Sequence, residues 1–316
     1  MKKRYSQRHA AIGMLCLLLA GCDNSASPFQ TNMSDIPPPG GASTGLAFTC
    51  RHEIIPGPEA EADVLFSYAR WLQVNNQLKQ NKEVDTEVGR LYRIAAENGH
   101  AKATINLQNG SLRGRFGLTA SERRRFSQQL IDAGVASGYY FIAIYLQYGA
   151  AGLKQDEDMA LRYYRKAADE GSALAQAYIG GKLSPKGMAP DIAKEMLFCA
   201  ATQGSGDAAN KLGNMLAVNK QFLKAAEAFQ LGVVAGDRSS ASFLESGFNG
   251  PKPTDSLYFL GQQKDPERVR RYKLIRRILA DYSYAHPTVP EINDIVPLPP
   301  APLPEWDGKL KWLEAR

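Results

Sequence analysis

Five glycines, at positions 99, 134, 171, 204 and 236, stand 35, 37, 33 and 32 residues apart, and no other feature narrows the choice of fold as much. A near-period of this length is the mark of stacked helical repeats. The flanking residues keep register with it. Four and three residues before the glycines stand Ala95-Ala96, Leu130-Ile131, Ala167-Ala168, Ala200-Ala201 and Gly232-Val233; four residues after stand Ala103, Gly138, Ala175, Ala208 and Ser240. Small side chains at these points allow two helices to approach closely. Eight residues after come Leu107, Ile142, Ile179, Leu212 and Leu244, and eight before come Leu91, Phe126, Tyr163, Met196 and Ala228, so one apolar face lies on each side of the turn. Each unit is then an antiparallel helix pair whose apolar stripe is buried only by its neighbours. The expected fold is an all-α superhelical solenoid.

The fullest unit runs from Tyr148-Gly149-Ala150-Ala151-Gly152 through Asp158, Ala160 and Tyr163-Tyr164 to Ala167-Ala168-Asp169-Glu170-Gly171. Its order of glycine loop, Asp, Ala, aromatic pair and Ala-Ala-x-x-Gly resembles the Sel1-like repeat family, longer relatives of tetratricopeptide repeats. Two repeats match well and three are degenerate: the Asp191 unit has Met196-Leu197 for the aromatics, and the Ala225 unit has lost the long loop. The resemblance implies that the first helix of each pair lines a concave face. It places binding positions three, six, ten and thirteen residues after each glycine, which selects Lys102, Asn109, Tyr140, Gln147, Asp207, Asn210 and Asn214 as partner-binding candidates.

The net charge of +6 suggests a nucleic-acid partner until it is divided along the chain. Lys2, Lys3, Arg4 and Arg8 precede residue 22 with no acid among them, leaving +2 for the remainder, and nucleic acid is excluded as an expected partner. The basic head and the apolar run Ala10 to Ala20 form a signal peptide, too short to span a bilayer. It ends in Leu19-Ala20-Gly21-Cys22, which resembles a bacterial lipobox and implies a lipid anchor on Cys22. Asp23 resembles the signal that keeps a lipoprotein at the periplasmic face of the inner membrane. Cys16 leaves with the signal and Cys22 takes lipid, so Cys50 and Cys199 are the one pair able to form a disulfide, Cys199 at a partly exposed position that could be bridged; the alternative is two small packed residues.

The expected organisation is a signal peptide (1–21), a Ser-, Pro- and Gly-rich tether (22–47), the solenoid (48–250) and a C-terminal helix with a Pro-rich tail (251–316). Phe48 to Ile55 reads as a short extended segment, and the helix opened by Pro58 as the first, capping helix. Ser121 with Arg124 lacks the Glu of a capping box, although Thr119, Ser121 and Glu122 suit a helix start. Asp265-Pro266-Glu267 starts a last helix reaching about Tyr284, whose Arg268, Arg270, Arg271, Lys273, Arg276 and Arg277 read as a solvated basic face. Beyond it, the prolines around His286 and from Val296 to Pro304 dictate polyproline II. The large apolar residues that accompany them predict that the tail folds back and caps the open end of the array.

Catalytic motifs are missing from this reading. His9, His52, His100 and His286 belong to no metal-ligand pattern, no cofactor motif is present, and Asp156, Glu157 and Asp158 fall at a repeat loop and helix start. The lipobox, the degenerate repeats and a tail containing Ile295-Val296-Pro297-Leu298-Pro299-Pro300 and Trp306-Asp307-Gly308 together resemble lipoproteins that act as immunity proteins against type VI secretion effectors. The resemblance implies a non-enzymatic protein whose partner is a cognate toxin, a phospholipase in the best-known cases. A scaffold that assembles envelope or signalling proteins is the alternative.

Overall fold

The computed structural model describes residues 47–185 and 188–314. The signal peptide, Cys22, Asp23 and all of the tether except its last residue lie outside the described residues. Twelve main helices follow in order: α1 (Ala60–Asn76), α2 (Lys82–Glu97), α3 (Ala101–Leu112), α4 (Ala120–Asp132), α5 (Ser137–Tyr148), α6 (Glu157–Asp169), α7 (Ala173–Leu183), α8 (Pro190–Thr202), α9 (Gly206–Val218), α10 (Phe222–Val234), α11 (Arg238–Phe248) and α12 (Pro266–Asp281). They form six pairs stacked into a solenoid, and no strand occurs among the described residues. None of the described helices is long and apolar enough to cross a membrane.

The turn at each repeat glycine shows why the pattern recurs. The glycine takes a positive φ, from +72° at Gly134 to +107° at Gly171, and closes the preceding helix as a left-handed C-cap. The next backbone N–H then donates back across the turn: His100 to Ala95, Val135 to Leu130, Ser172 to Ala167, Ser205 to Ala200, Asp237 to Gly232. The side chain after the glycine caps the following helix. His100, Ser172, Ser205 and Asp237 each accept the N–H three residues on. The small residues four before and four after meet at the helix crossing; Ala95, Ala103, Ala167, Ala175, Ala200 and Ala208 are fully buried.

The second turn breaks the rule, because Ala136 has no side chain able to cap α5. The cap comes from a distant part of the chain. Residues 47–59 run as an extended strap along the ends of the repeats, and Glu53 accepts from the backbone N–H of Ser137 and from its hydroxyl, the latter at 3.0 Å. Along its length the strap is held by Arg165 donating to the carbonyl of Ala47 at 2.7 Å, Gln176 donating to that of Arg51 at 2.9 Å, and Glu53 N–H donating to Gln203 at 3.0 Å. A disulfide between Cys50 and Cys199 locks it to α8. Cys199 is completely buried, which corrects the expectation of partial exposure: the strap covers it.

Gly171 has a second role beneath this strap. A Cβ there would lie 2.6 Å from the carbonyl carbon of His52, and its φ disfavours any side chain. Gly171→Ala is expected to lift the strap and cost several kcal/mol, combining left-handed strain with a backbone clash; chemical denaturation, together with faster proteolysis within 47–59, would register it. An equally stable variant with an undisturbed strap would contradict the packing.

Two further expectations change. A capping box is present at α4, but at Thr119 and Glu122, two residues before the serine that suggested none. α11 is the first helix of a sixth pair completed by α12 across the loop that joins them, with Phe248 stacked on Tyr272 and Arg276 bonded to Glu245 at 2.6 Å. α12 ends at Asp281, followed by a 3-10 turn at Ser283–Ala285.

The basic face of α12 is also not all solvated. Arg268 and Arg271 are buried beneath the tail. Arg268 donates to the carbonyls of Pro297 and Ala301, and Arg271 to those of Ile295 and Pro304. The reason lies in the tail's composition: extended, proline-rich backbone leaves carbonyls without helical partners, and a guanidinium offers five donors. Between the proline runs, α13 (Ile292–Ile295) inserts Ile292 into the same core that holds Val289, Val296 and Leu310. Gln230 secures the centre, donating to Val296 O at 2.8 Å and accepting from Tyr272 at 2.6 Å. The tail therefore covers the C-terminal end of the stack, and a short last helix, α14 (Lys311–Glu314), follows.

Candidate functional site

The first helices of the pairs, α3, α5, α7 and α9, share a face that presents aromatic and amide side chains. Its middle is a tyrosine cluster. Tyr140 on α5 meets Tyr164 of α6 edge-on at 5.7 Å, and Tyr164 stacks on Tyr178 of α7 at 4.1 Å. Gln147 accepts the Tyr164 hydroxyl at 2.6 Å, which fixes that ring, and Lys182 lies 5.6 Å from the Tyr178 ring centre. Tyr148, at the end of α5, is 70 % exposed. Burial, reinforced by neighbouring tyrosines, pushes the phenols of Tyr140 and Tyr164 up. Rigid rings backed by a hydrogen-bonded amide are suited to gripping a protein surface at low entropic cost.

Toward the N-terminal end, the strap and the first helices enclose a groove of ≈ 440 Å³ lined by Glu53, Ile55, Arg70, Lys102, Asn106 and Leu174 among others. Both signs of charge and exposed aliphatic surface are present, since Leu174 is nearly half exposed. Toward the other end, α9 shows Asp207 paired with Lys211 at 2.7 Å and Asn214 bonded to Asn210, which in turn reaches Ser240 at 3.3 Å.

The candidates chosen from repeat register thus fall into three places. Lys102 and Asn109 lie on α3, Lys102 in the groove; Tyr140 and Gln147 converge on Tyr164; Asp207, Asn210 and Asn214 share α9. The register missed Tyr178, Asn106 and Lys211, all seven residues after their glycines. A helix returns to the same face after seven residues as after three, so that position belonged in the stripe. The strap residues Glu53 and Ile55 were beyond any repeat-based rule.

Chemically this face offers aromatic rings, amides and paired charges. Cys50, His52 and Cys199 are the one grouping of three metal-ligand types among the described residues, and two of them are joined in the disulfide. The buried phenols set a pH limit instead. The Tyr164 and Tyr145 phenols are held well above their ordinary value by burial. Their stabilising contribution is complete below about pH 10 and is lost as pH rises beyond it, because the unfolded chain then gives up protons that the native state retains. Alkaline unfolding is expected to coincide with the appearance of phenolate absorbance; a titration complete by about pH 10 with the fold intact would contradict that burial.

Comparison with known proteins bears on both the C-terminal segment and the fold. Residues 240–316 match the model of a domain of unknown function, DUF6396. No protein of curated function matches. Among solved structures, the chain is similar to Pseudomonas aeruginosa PA5086, at 26 % identity and a TM-score of 0.57, over 81 % of this chain and 96 % of that one. It is similar to the immunity protein Pa5087 of the same organism at 24 % identity and a TM-score of 0.59, with the same coverage. The immunity protein PA5088 gives 23 % and 0.60 over 81 % and 95 %. The likeness spans nearly the whole of all three, and the chain shares their solenoid fold.

Proposed function

We propose that this protein is an immunity protein: a non-catalytic binder that neutralises an antibacterial effector delivered by type VI secretion, with a phospholipase as its target. The carrying observation is similarity of fold, over 81 % of this chain and at least 95 % of theirs, to proteins described as immunity proteins, on a chain whose best-formed surface is the tyrosine and amide face of α5 and α7. The face would cover the effector's active-site entrance. Cys22 would anchor the chain at the periplasmic side of the inner membrane, where confinement to a surface raises its effective concentration against a toxin that attacks lipid there.

The test is expression of the adjacent gene's product in the periplasm with and without this protein. Growth should be rescued by the native chain, and the two proteins should co-purify. Tyr140→Ala combined with Tyr148→Ala is expected to weaken capture at least tenfold, as loss of central aromatic contacts does, while circular dichroism stays unchanged. Absence of both rescue and capture would refute an immunity role; full capture by the double variant would move the site away from this face.

A further inference from the structure

We infer that α1 is a self-association surface through which two copies of this chain pair about a two-fold axis at Trp71. The terminal unit of a solenoid needs a polar outer face, because no neighbour covers it. The C-terminal end meets that need with its own tail. The N-terminal end does not: Val64, Tyr68, Trp71, Val74 and Leu78 are all exposed along one side of α1 and the turn that continues it, with Trp71 at 60 % and Leu78 at 68 %. Their spacing follows the helical repeat, so they form one continuous stripe and not scattered surface residues.

The charges beside the stripe identify the occupant. Glu61 precedes Trp71 by ten residues and Lys79 follows it by eight. Eighteen residues are about five helical turns, which returns Glu61 and Lys79 to the same flank at opposite ends of the stripe. Both are exposed and neither forms an ion pair among the described residues. A two-fold axis through Trp71 sets the helices antiparallel and keeps like flanks on the same side. It brings Trp71 against its own copy, Val64 against Leu78 of the second copy, and Glu61 within about 3 Å along the axis of Lys79 in the second copy, twice. The surface is complementary to itself. Five large side chains from each copy give an interface of about 1,000 Å², the lower end for specific association, so a concentration-dependent dimer is expected.

Sedimentation velocity of the full chain over the micromolar range tests the pairing, with circular dichroism to confirm folding. The native protein should shift from monomer toward dimer. Trp71→Glu should abolish the shift, and Glu61→Lys or Lys79→Glu alone should weaken association several-fold. Glu61→Lys with Lys79→Glu should restore it, because the exchanged charges again face each other across the axis. A native chain that stays monomeric overturns the inference. So does association unaffected by Trp71→Glu, or a double exchange no better than either single variant.

Discussion

Replacing Cys50 with Ser is expected to lower the unfolding free energy by up to about 5 kcal/mol, the loop-closure value for a crosslink of this span, since the bridged residues are separated by 149 positions. The strap's remaining polar ties are hydrogen bonds to Ser137, Arg165, Gln176, Thr202 and Gln203, each contributing about 1 kcal/mol net. They are too few to hold 13 residues of extended backbone against the entropy released on detachment. Detachment would also remove the Glu53 cap from α5 and open the groove beside Lys102. Denaturant unfolding of the oxidised native chain, the reduced native chain and the variant is the direct measurement. Reduction and substitution should coincide. A reduced protein as stable as the oxidised one would show that the strap docks without its bridge.

Arg271→Ala is expected to cost about 3 kcal/mol, because it leaves the carbonyls of Ile295 and Pro304 without donors at a buried junction. The ion pair of Arg271 with Glu267 adds little, since that carboxylate is largely in water. Release of the tail should appear as a red shift of Trp306 fluorescence, whose ring lies 5.7 Å from the guanidinium, and as new cleavage between residues 286 and 304. Arg271→Lys should recover the charge but only part of the stability, since an ammonium does not present the guanidinium's planar fork of donors. Acid should loosen the same region only slightly, because the pair of Arg271 with Glu267 is screened by water. Hydrogen bonds from Arg270 and Arg271 hold the Glu267 carboxyl down at about 2. Its contribution is complete above the unfolded value near 4.3 and is lost as pH falls toward about 2. Tail protection that is unchanged in Arg271→Ala would contradict the clasp.

How much of this was legible in the sequence depends on the range of the interaction. The turns at the five repeat glycines follow directly from the repeat, because C-terminal glycines and apolar spacing act within one or two turns. Even at α4 the sequence contained the capping box, two residues away from where it was sought. The six arginines and lysines of α12 show the opposite. Periodicity alone makes Arg268 and Arg271 look like Arg270 and Arg277, yet the first two are buried under carbonyls 24 to 33 residues away. Within the candidate face, register alone selects Tyr140 and Gln147 as candidates, whereas their meeting at Tyr164 depends on how α5 lies against α6.

The sequence by itself therefore determined the helices that flank each repeat glycine and the turns between them, which arise from residues within one repeat length. Tertiary structure alone decided the rest: that Glu53 caps a helix 84 residues away, that Cys50 joins Cys199, and that the tail rests on Arg268 and Arg271. The physical reason is that the strap and tail have no period of their own. Their extended backbones leave hydrogen-bonding groups unsatisfied, and what satisfies them is whatever the assembled repeats bring within reach.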